Sequence, residues 1–169
     1  MLQVYTGDGK GKTTAAVGLV VRAVGAGLRC YVGQFLKDEP SSEIRVLQGL
    51  PDVQTECFGA GGGCLIGRER TASDAECAQR GVRRVIAALR SGRYDVVVAD
   101  ELNCVCALGL ISTDDWLACA NARPQNVELV CTGRGAPACA IDKADLVTEM
   151  REVKHYYRRG VQARLGIEK

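Results

Sequence analysis

The most informative segment of this sequence is a glycine-rich turn that follows a short apolar run near the N-terminus. Residues 2–5 are mainly apolar and predict a buried strand, whereas residues 12–26 are rich in apolar and small side chains, as in a helix packed on a sheet. The residues that connect the strand to the helix, and begin the helix, are Gly7, Asp8, Gly9, Lys10, Gly11, Lys12, Thr13 and Thr14. A strand, a glycine-rich turn and a helix in this order predict the phosphate-binding loop of a P-loop α/β protein.

The loop contains the groups that phosphate binding requires. Its alternating glycines allow the backbone to turn tightly and to point N–H groups at an anion, and the positive end of the following helix acts at the same place. Lys12 would neutralise phosphate charge, and the Thr13 hydroxyl suits a Mg²⁺ ligand. The usual pattern begins with a glycine, where this sequence has Thr6. The alternative is a glycine-rich turn with a solvated lysine, but the strand–turn–helix context favours phosphate binding.

Beyond the loop, the hydrophobic pattern predicts an alternation of strands and helices. Strands are expected at residues 2–5, 29–35, 53–57, 94–99, 127–132 and 145–150, and helices at 12–26, 41–49, 71–91, 113–122 and briefly after 135. Val-rich strands separated by helices are typical of a parallel sheet covered on both faces. We therefore predict a single P-loop α/β domain over residues 1–169, of the RecA-like P-loop NTPase type. Its three layers would be a mostly parallel sheet flanked by helices, with an irregular C-terminal tail from about residue 154.

A pair of carboxylates marks the end of one predicted strand. Asp100 and Glu101 follow four consecutive apolar residues, which is where P-loop proteins carry an acidic partner for Mg²⁺. In open parallel sheets, ligands bind at the carboxyl ends of the strands, so the pair and the glycine-rich loop are expected at the same edge. One carboxylate would bind the metal directly and the other through water. The alternative for Asp100 is a helix N-cap.

Composition narrows the class of partner. The net charge is only +2 and aromatic residues make up 5%, so neither a concentrated basic face nor a stacking platform for nucleic acid is expected. The longest apolar stretch, residues 15–28, is too short and too interrupted to span a membrane. The start shows no signal-peptide pattern, and we expect a cytoplasmic protein that binds no nucleic acid and no membrane.

Nine cysteines are numerous for 169 residues, yet their spacing does not predict a metal site or a disulfide framework. There is no C-x-x-C, and His155 is the only histidine available to complete a zinc site. Most of these thiols are expected to be small buried apolar side chains in a reducing compartment. The residues thus predict a nucleoside triphosphate and Mg²⁺, and leave hydrolysis, phosphoryl transfer and transfer at the sugar open.

Several segments, taken in order, resemble one known family. These are residues 4–14, 34–37, 100–103, 122–124, 132–137, 144–150, 153–155 and 160–168. They resemble the P-loop ATP:corrinoid adenosyltransferases, which act on cob(I)yrinic acid a,c-diamide or cob(I)alamin. The resemblance spans nearly the whole chain, and the T-G-R-G-A-P and V-K-H…G-I-E segments are far more specific than the phosphate-binding loop.

The resemblance implies an activity in cobalamin biosynthesis. Enzymes of this family transfer the 5′-deoxyadenosyl group of ATP to Co(I) of a corrinoid substrate, and the triphosphate leaves intact. The chemistry would need no side-chain nucleophile, because Co(I) itself attacks C5′. Residues 7–14 would bind the triphosphate, with Lys12 and Arg134 as charge stabilisers, and Thr13, Glu101 and Asp100 would hold Mg²⁺. The alternative for Arg134 is a solvated turn arginine.

One segment departs from the family pattern. Well-known members carry G-x-G-Phe-Thr-Trp after the third strand, and those aromatic rings crowd the lower face of the corrin and displace its axial base. The corresponding residues here are Cys64, Leu65 and Ile66, preceded by three glycines. We expect all three residues at the lower face of the corrinoid, where Leu65 and Ile66 would form an apolar wall that excludes water. For Cys64, a small packing residue is the favoured alternative to a cobalt contact.

The resemblance also implies partners and leaves two alternatives. The expected partners are a flavoprotein or other reductant and a second copy of the chain in a homodimer. One alternative function is that of a P-loop small-molecule kinase, although the cysteine spacing does not supply the zinc lasso of the thymidine type. The other is a non-catalytic nucleotide- or corrinoid-binding homologue, which the missing aromatic pair keeps open.

Overall fold

A computed structural model describes residues 1–61 and 69–168 of the chain, and within these ranges it contains one six-stranded parallel sheet. The strands are β1 (Leu2–Thr6), β2 (Cys30–Phe35), β3 (Val53–Phe58), β4 (Val96–Asp100), β5 (Glu128–Thr132) and β6 (Leu146–Glu149). Their order across the sheet is β3-β2-β4-β5-β1-β6, and all neighbouring pairs are parallel. The predicted α/β sheet is therefore confirmed, and it is entirely rather than mostly parallel.

Helices cover both faces of the sheet. They are α1 (Lys12–Gly25), α2 (Ser42–Leu47), α3 (Ala72–Arg90), α4 (Leu102–Ala107), α5 (Thr113–Ala122) and α6 (Ala138–Lys143), followed by a 3₁₀ turn at Tyr156–Arg159. Side chains of α1 and α2 pack with one face, whereas α3, α4, α5 and α6 contribute to the core on the other. Strand β4 shows the alternation: Val96 and Val98 belong to the first core, and Val97 and Ala99 to the second. This is the three-layer arrangement that the sequence predicts.

Two short elements differ from the prediction. Strand β4 ends at Asp100, so this carboxylate lies within the strand and not after it. Helix α4 was not predicted, because its six residues are too few to show a helical period. After residue 154, the described part of the tail contains the 3₁₀ turn and no α-helix or strand. In the described ranges, no helix combines the length and apolar character needed to cross a bilayer.

The start of α3 has a clear local cause in the sequence. Thr71 accepts a hydrogen bond from the backbone N–H of Asp74, and the Asp74 carboxylate accepts one from the N–H of Thr71. This capping box satisfies N–H groups that the first helical turn leaves without partners. Helix α3 then buries Val82, Val85 and Leu89 against the sheet.

Gly81 allows α3 to approach the sheet closely, and its substitution is our first prediction. A Cβ at this position would lie 2.8 Å from a ring carbon of Phe58 and 2.9 Å from one of Phe35. We expect Gly81→Ala to destabilise the protein by roughly 1–3 kcal/mol through overpacking, although alanine is the better helix former. The matched control is Gly18→Ala in α1, where a Cβ meets nothing within 4 Å and stability should rise by up to ~1 kcal/mol. Urea unfolding measures both, and an equal gain in the two variants would contradict the packing argument.

Candidate active site

The glycine-rich loop lies at the carboxyl end of β1 and leads directly into α1. Gly11 is the N-cap residue of α1, and among the described residues no side chain caps this helix end. The first N–H groups of α1 therefore point out of the loop with no capping side chain, which is the arrangement that binds anions. Helix α1 has 14 residues, enough for its terminal partial charge to act at this place.

Met150, the residue directly after β6, packs against the glycine-rich loop. Gly9 donates its backbone N–H to the Met150 carbonyl oxygen at 2.7 Å, and Met150 donates its own to the Thr6 carbonyl at 2.8 Å. A Cβ on Gly9 would lie 2.8 Å from that Met150 oxygen, and a Cβ on Gly7 would overlap it. Gly7 also has a φ of 92°, a conformation that side chains disfavour. Both glycines are thus required by the close packing of the loop on β6.

The two lysines of the loop have different surroundings. Lys12 is buried, and its Nζ donates to the carbonyl oxygens of Gly7 at 2.6 Å and Gly9 at 2.7 Å. Burial, followed by the charge of Arg134, lowers the pKa of Lys12 below its usual range. Lys10 is exposed and donates to the Ile167 carbonyl oxygen at 2.6 Å. Lys12 lies within the loop, whereas Lys10 lies against the C-terminal tail.

Asp100 connects the loop to two other strands of the sheet. Its Oδ1 accepts hydrogen bonds from the Thr13 hydroxyl at 2.9 Å and from the Thr132 hydroxyl at 2.6 Å. Its Oδ2 accepts one from the Gln34 amide at 3.0 Å. Asp100 is 2% exposed, and these contacts engage both of its oxygens. The N-cap alternative for Asp100 is wrong, because Glu101 occupies that position of α4.

Glu101 lies next to this cluster in an unusual backbone conformation. Its φ of 64° is left-handed, and its backbone N–H donates to the Thr132 hydroxyl oxygen at 3.0 Å. Burial, followed by the neighbouring Asp100 carboxylate, raises the pKa of Glu101 above its usual range. The positive charges of Lys12 and Arg134 act on it in the opposite direction. Glu101 is therefore a second acidic side chain beside Asp100, within electrostatic reach of Lys12 and Arg134.

Arg134 lies on the loop after β5, which packs against both α4 and the glycine-rich loop. Its Nη2 donates to the Asp8 carbonyl oxygen at 3.2 Å. Gly133 has a φ of 128°, and a Cβ there would lie 2.6 Å from the backbone nitrogen of Cys104. The Thr6 hydroxyl accepts a hydrogen bond from the Ala136 N–H at 3.2 Å, which gives a structural reason for a threonine where the usual pattern has glycine.

The remaining predicted site residues divide into two groups. Thr14 is exposed in the first turn of α1 and Asp8 is exposed in the loop. Cys64, Leu65 and Ile66 lie outside the described residues.

The eight cysteines within the described residues are free thiols, and burial raises the pKa of Cys104 and of Cys119 to about 12. Among the described residues, no group of three or more His, Cys, Asp or Glu side chains is placed to hold a metal ion.

Several residues at the site had no role assigned from the sequence alone. All four lie in the family-like segments: Gln34 in 34–37, Asn103 in 100–103, Thr132 in 132–137 and Met150 in 144–150. Their roles depend on contacts between residues far apart in the chain, such as the 66-residue separation of Gln34 and Asp100. A polar residue in or directly after a Val-rich strand is the signal that would have indicated Gln34 and Thr132, because such positions meet at the carboxyl edge of the sheet.

The C-terminal tail folds back towards the glycine-rich loop. The Glu168 carboxylate accepts hydrogen bonds from the Arg164 backbone and guanidinium and from the Tyr156 hydroxyl, and lies 3.4 Å from the Lys10 Nζ. His155 Nδ1 accepts from the Tyr157 N–H and caps the 3₁₀ turn. His155 thus has a structural contact, and the tail contacts the loop through Lys10.

Taken together, the site combines groups suited to a polyphosphate with groups suited to a hard cation. Backbone N–H groups at the start of α1, Lys12 and Arg134 attract negative charge. The Thr13 hydroxyl and two carboxylates are hard oxygen donors. Two carboxylates are too few for a self-contained metal cage, but they suit Mg²⁺, which keeps waters and shares phosphate oxygens.

Comparison with known proteins gives the same family over the full length. Residues 1–168 match the family described as ATP:corrinoid adenosyltransferase BtuR/CobO/CobP. The corrinoid adenosyltransferase of Pseudomonas aeruginosa is 37% identical, covering 99% of this chain and 83% of its own. Corrinoid adenosyltransferase CobA of Salmonella typhimurium is 38% identical, covering 98% of this chain and 83% of its own.

A third relative has a different length. An uncharacterized protein of Nostoc sp. is 36% identical over 91% of this chain, and the match spans 44% of that protein. The chain therefore corresponds to less than half of this longer relative, but to most of each of the two named adenosyltransferases. With the family match extending from residue 1 to residue 168, the chain belongs to the ATP:corrinoid adenosyltransferase family.

Proposed function

We propose that the protein transfers the 5′-deoxyadenosyl group of ATP to Co(I) of a corrinoid, and releases triphosphate and the adenosylcobamide. The observation that carries this proposal is the family match over residues 1–168. In the same chain, the glycine-rich loop precedes a helix whose N-terminus is capped by no side chain among the described residues. The named relatives that align over nearly the whole chain are corrinoid adenosyltransferases, which supports this function over that of a small-molecule kinase.

The proposed reaction forms one bond and breaks one bond, and neither step needs a nucleophile or a base from the protein. The electron pair of Co(I) forms the new Co–C5′ bond, and the C5′–O bond breaks with its pair passing to the triphosphate. No proton has to be removed from C5′, so no general base is required. The protein must hold C5′ in line with cobalt and stabilise the charge on the departing triphosphate.

In this proposal, the residues of the loop bind the leaving group. Residues 7–14 contact the triphosphate through Lys12 and through backbone N–H groups other than that of Gly9, which donates to the Met150 carbonyl oxygen. Arg134 adds a second positive charge from the loop after β5. The proximity of Arg134 to the Asp8 carbonyl supports this role, because it places the guanidinium at the edge of the loop. Lys10 is a weaker candidate, since its side chain is exposed and its Nζ contacts the C-terminal tail, whereas Lys12 is buried with its Nζ inside the loop.

Mg²⁺ fits the donor set described above. Thr13 and Glu101 would be its protein ligands, and Asp100 would act mainly by holding the Thr13 hydroxyl, because both Asp100 oxygens accept hydrogen bonds. Bound there, Mg²⁺ would offset part of the negative charge of the triphosphate.

Four further properties belong to the same proposal. The corrinoid would lie with its lower face towards Cys64, Leu65 and Ile66, whose apolar side chains suit the exclusion of water. A flavoprotein or other reductant would deliver the electron that forms Co(I), and two copies of the chain would form a homodimer. The family resemblance supports these properties, and a cytoplasmic location fits the reducing chemistry that Co(I) requires.

The test is an assay of both products under strong reductant. The protein, ATP, Mg²⁺ and chemically reduced cobalamin are expected to yield the light-sensitive adenosyl product and one triphosphate per turnover. Release of orthophosphate or diphosphate in place of triphosphate would contradict the proposal. Formation of ADP with a phosphorylated acceptor would favour the kinase alternative. Binding of both ATP and corrinoid without turnover would indicate a non-catalytic homologue.

A further inference from the structure

Asn103 is a buried polar side chain that the reaction itself does not use. It is the second residue of α4 and is 0% exposed. Its Oδ1 accepts a hydrogen bond from the Trp116 indole Nε1 at 2.9 Å. A buried amide without partners would be costly, so the groups around it define what it does.

The amide nitrogen of Asn103 faces three backbone carbonyl oxygens. They belong to Cys131 at 3.4 Å, Gly133 at 3.5 Å and Tyr5 at 3.5 Å. Tyr5 lies two residues before Gly7, and Gly133 directly precedes Arg134. Asn103 therefore lies where the segment that leads into the glycine-rich loop meets the segment that leads into the loop after β5, called here the Arg134 loop.

Chemistry determines the orientation of this amide. The indole N–H is only a donor and a carbonyl oxygen is only an acceptor, so one end of the side chain must accept and the other must donate. Asparagine meets both conditions at this short length, whereas aspartate would place a carboxylate oxygen against the three carbonyls. The Trp116 N–H holds the Asn103 amide in one orientation. In that orientation the amide nitrogen faces the carbonyl oxygens at the junction of the glycine-rich loop and the Arg134 loop.

The two loops are also joined directly. The Gly133 N–H donates to the Tyr5 carbonyl oxygen at 3.1 Å, so the same oxygen faces both Gly133 and Asn103. Gly133 also packs on the start of α4, where a Cβ would lie 3.2 Å from the Asn103 Cβ. A shift of Gly133 would move Arg134 relative to the Asp8 carbonyl that it contacts at 3.2 Å.

We propose that Asn103 is a positioning residue that holds the Arg134 loop against the glycine-rich loop and so determines the position of Arg134 at the triphosphate. This inference rests on the proposed function, in which Arg134 contacts the triphosphate. Asn103 touches neither the nucleotide nor cobalt in this scheme. Trp116 supports Asn103 through its N–H and belongs to the same contact set.

The test is a double-mutant cycle with inorganic tripolyphosphate as the probe, read by calorimetry. Asn103→Asp is expected to weaken tripolyphosphate binding about tenfold, as the loss of a well-placed charged contact would. In the Arg134→Ala background, the same change should have an effect of less than about twofold, because the residue it positions is already absent. Additive effects in the two backgrounds would overturn the inference.

Two further variants separate positioning from loss of structure. Trp116→Phe keeps a ring in the core but removes the indole N–H, and is expected to weaken binding in the same direction by a smaller factor. Leu89→Ala, in the buried face of α3, which packs on β2, β3 and β4, should lower the unfolding midpoint without changing tripolyphosphate affinity. If Asn103→Asp and Trp116→Phe lower only the unfolding midpoint, as Leu89→Ala does, Asn103 is merely structural and the inference fails.

The outcomes distinguish this inference from the proposed function. If Arg134→Ala weakens binding and Asn103→Asp does not, the positioning inference fails and the role of Arg134 stands. If Arg134→Ala itself leaves affinity unchanged, both the triphosphate role of Arg134 and the inference are overturned. Absence of the adenosyl product from the unaltered protein would overturn the proposed function.

Discussion

Replacement of Lys12 by alanine is expected to lower kcat/KM for ATP by roughly 10²–10³-fold, the largest effect of any single change at this site. Lys12 is buried within the loop, and its Nζ lies 2.6–2.7 Å from two loop carbonyl oxygens. A positive charge at this place acts in a water-poor setting, where it stabilises a departing triphosphate more strongly than an exposed charge would. The measurement is the initial rate of adenosyl product formation as ATP is varied.

Lys10→Ala is the matched control, because it removes the same charge from the same loop. Lys10 is exposed and its Nζ donates to the carbonyl oxygen of Ile167. We expect a change in kcat/KM of less than about tenfold, consistent with the low value of exposed charge contacts. Equal losses in the two variants would show that net charge, and not the position of Lys12, determines the rate.

The Glu101→Gln variant is expected to show the second large effect, in which the protein gains stability and loses activity. Burial and Asp100 raise the pKa of Glu101, so its charged form is disfavoured in the folded protein. The folded state then binds the proton more tightly than the unfolded state does, and stability falls as pH rises from about the usual value of 4.5 through the raised pKa. Above that window the penalty is complete, and glutamine removes it.

We therefore expect Glu101→Gln to raise the melting temperature near pH 7.5 and to have little effect near pH 4. Activity should fall by about 10²-fold, with a higher Mg²⁺ concentration needed for half-maximal rate. Glu76→Gln on the exposed side of α3 is the control and should change neither quantity. A lower melting temperature for Glu101→Gln at pH 7.5 would mean that attraction to Lys12 and Arg134 outweighs the cost of burial.

The parts of the fold that were predictable from sequence are those with strong local patterns. The first strand, the glycine-rich turn and α1 follow from a contiguous stretch of 24 residues, 2–25. The parallel sheet follows from Val-rich strands, which are buried on both faces. Helix α4 could not be predicted, because six residues carry less than two helical turns of pattern.

The candidate site was predictable by residue type but not by contact. The motif assigns the phosphate charge to Lys12, but only the folded chain shows that Lys10 contacts the tail and that Lys12 lies inside the loop. Asp100 was predicted beside Mg²⁺, yet its three hydrogen-bond donors come from residues 32–87 positions away. Contacts of this kind depend on sheet order, which local patterns do not encode.

The support of the glycine-rich loop by β6 has a consequence for how such loops tolerate sequence change. Gly7 and Gly9 exclude a Cβ because the Met150 carbonyl lies directly behind them, and this packing does not involve any substrate. A library selected only for folded, protease-resistant protein would therefore retain both glycines. If such glycines are retained in diverging sequences, their retention would indicate that the segment at the end of β6 still packs on the loop. This would hold even in proteins that no longer bind a nucleotide.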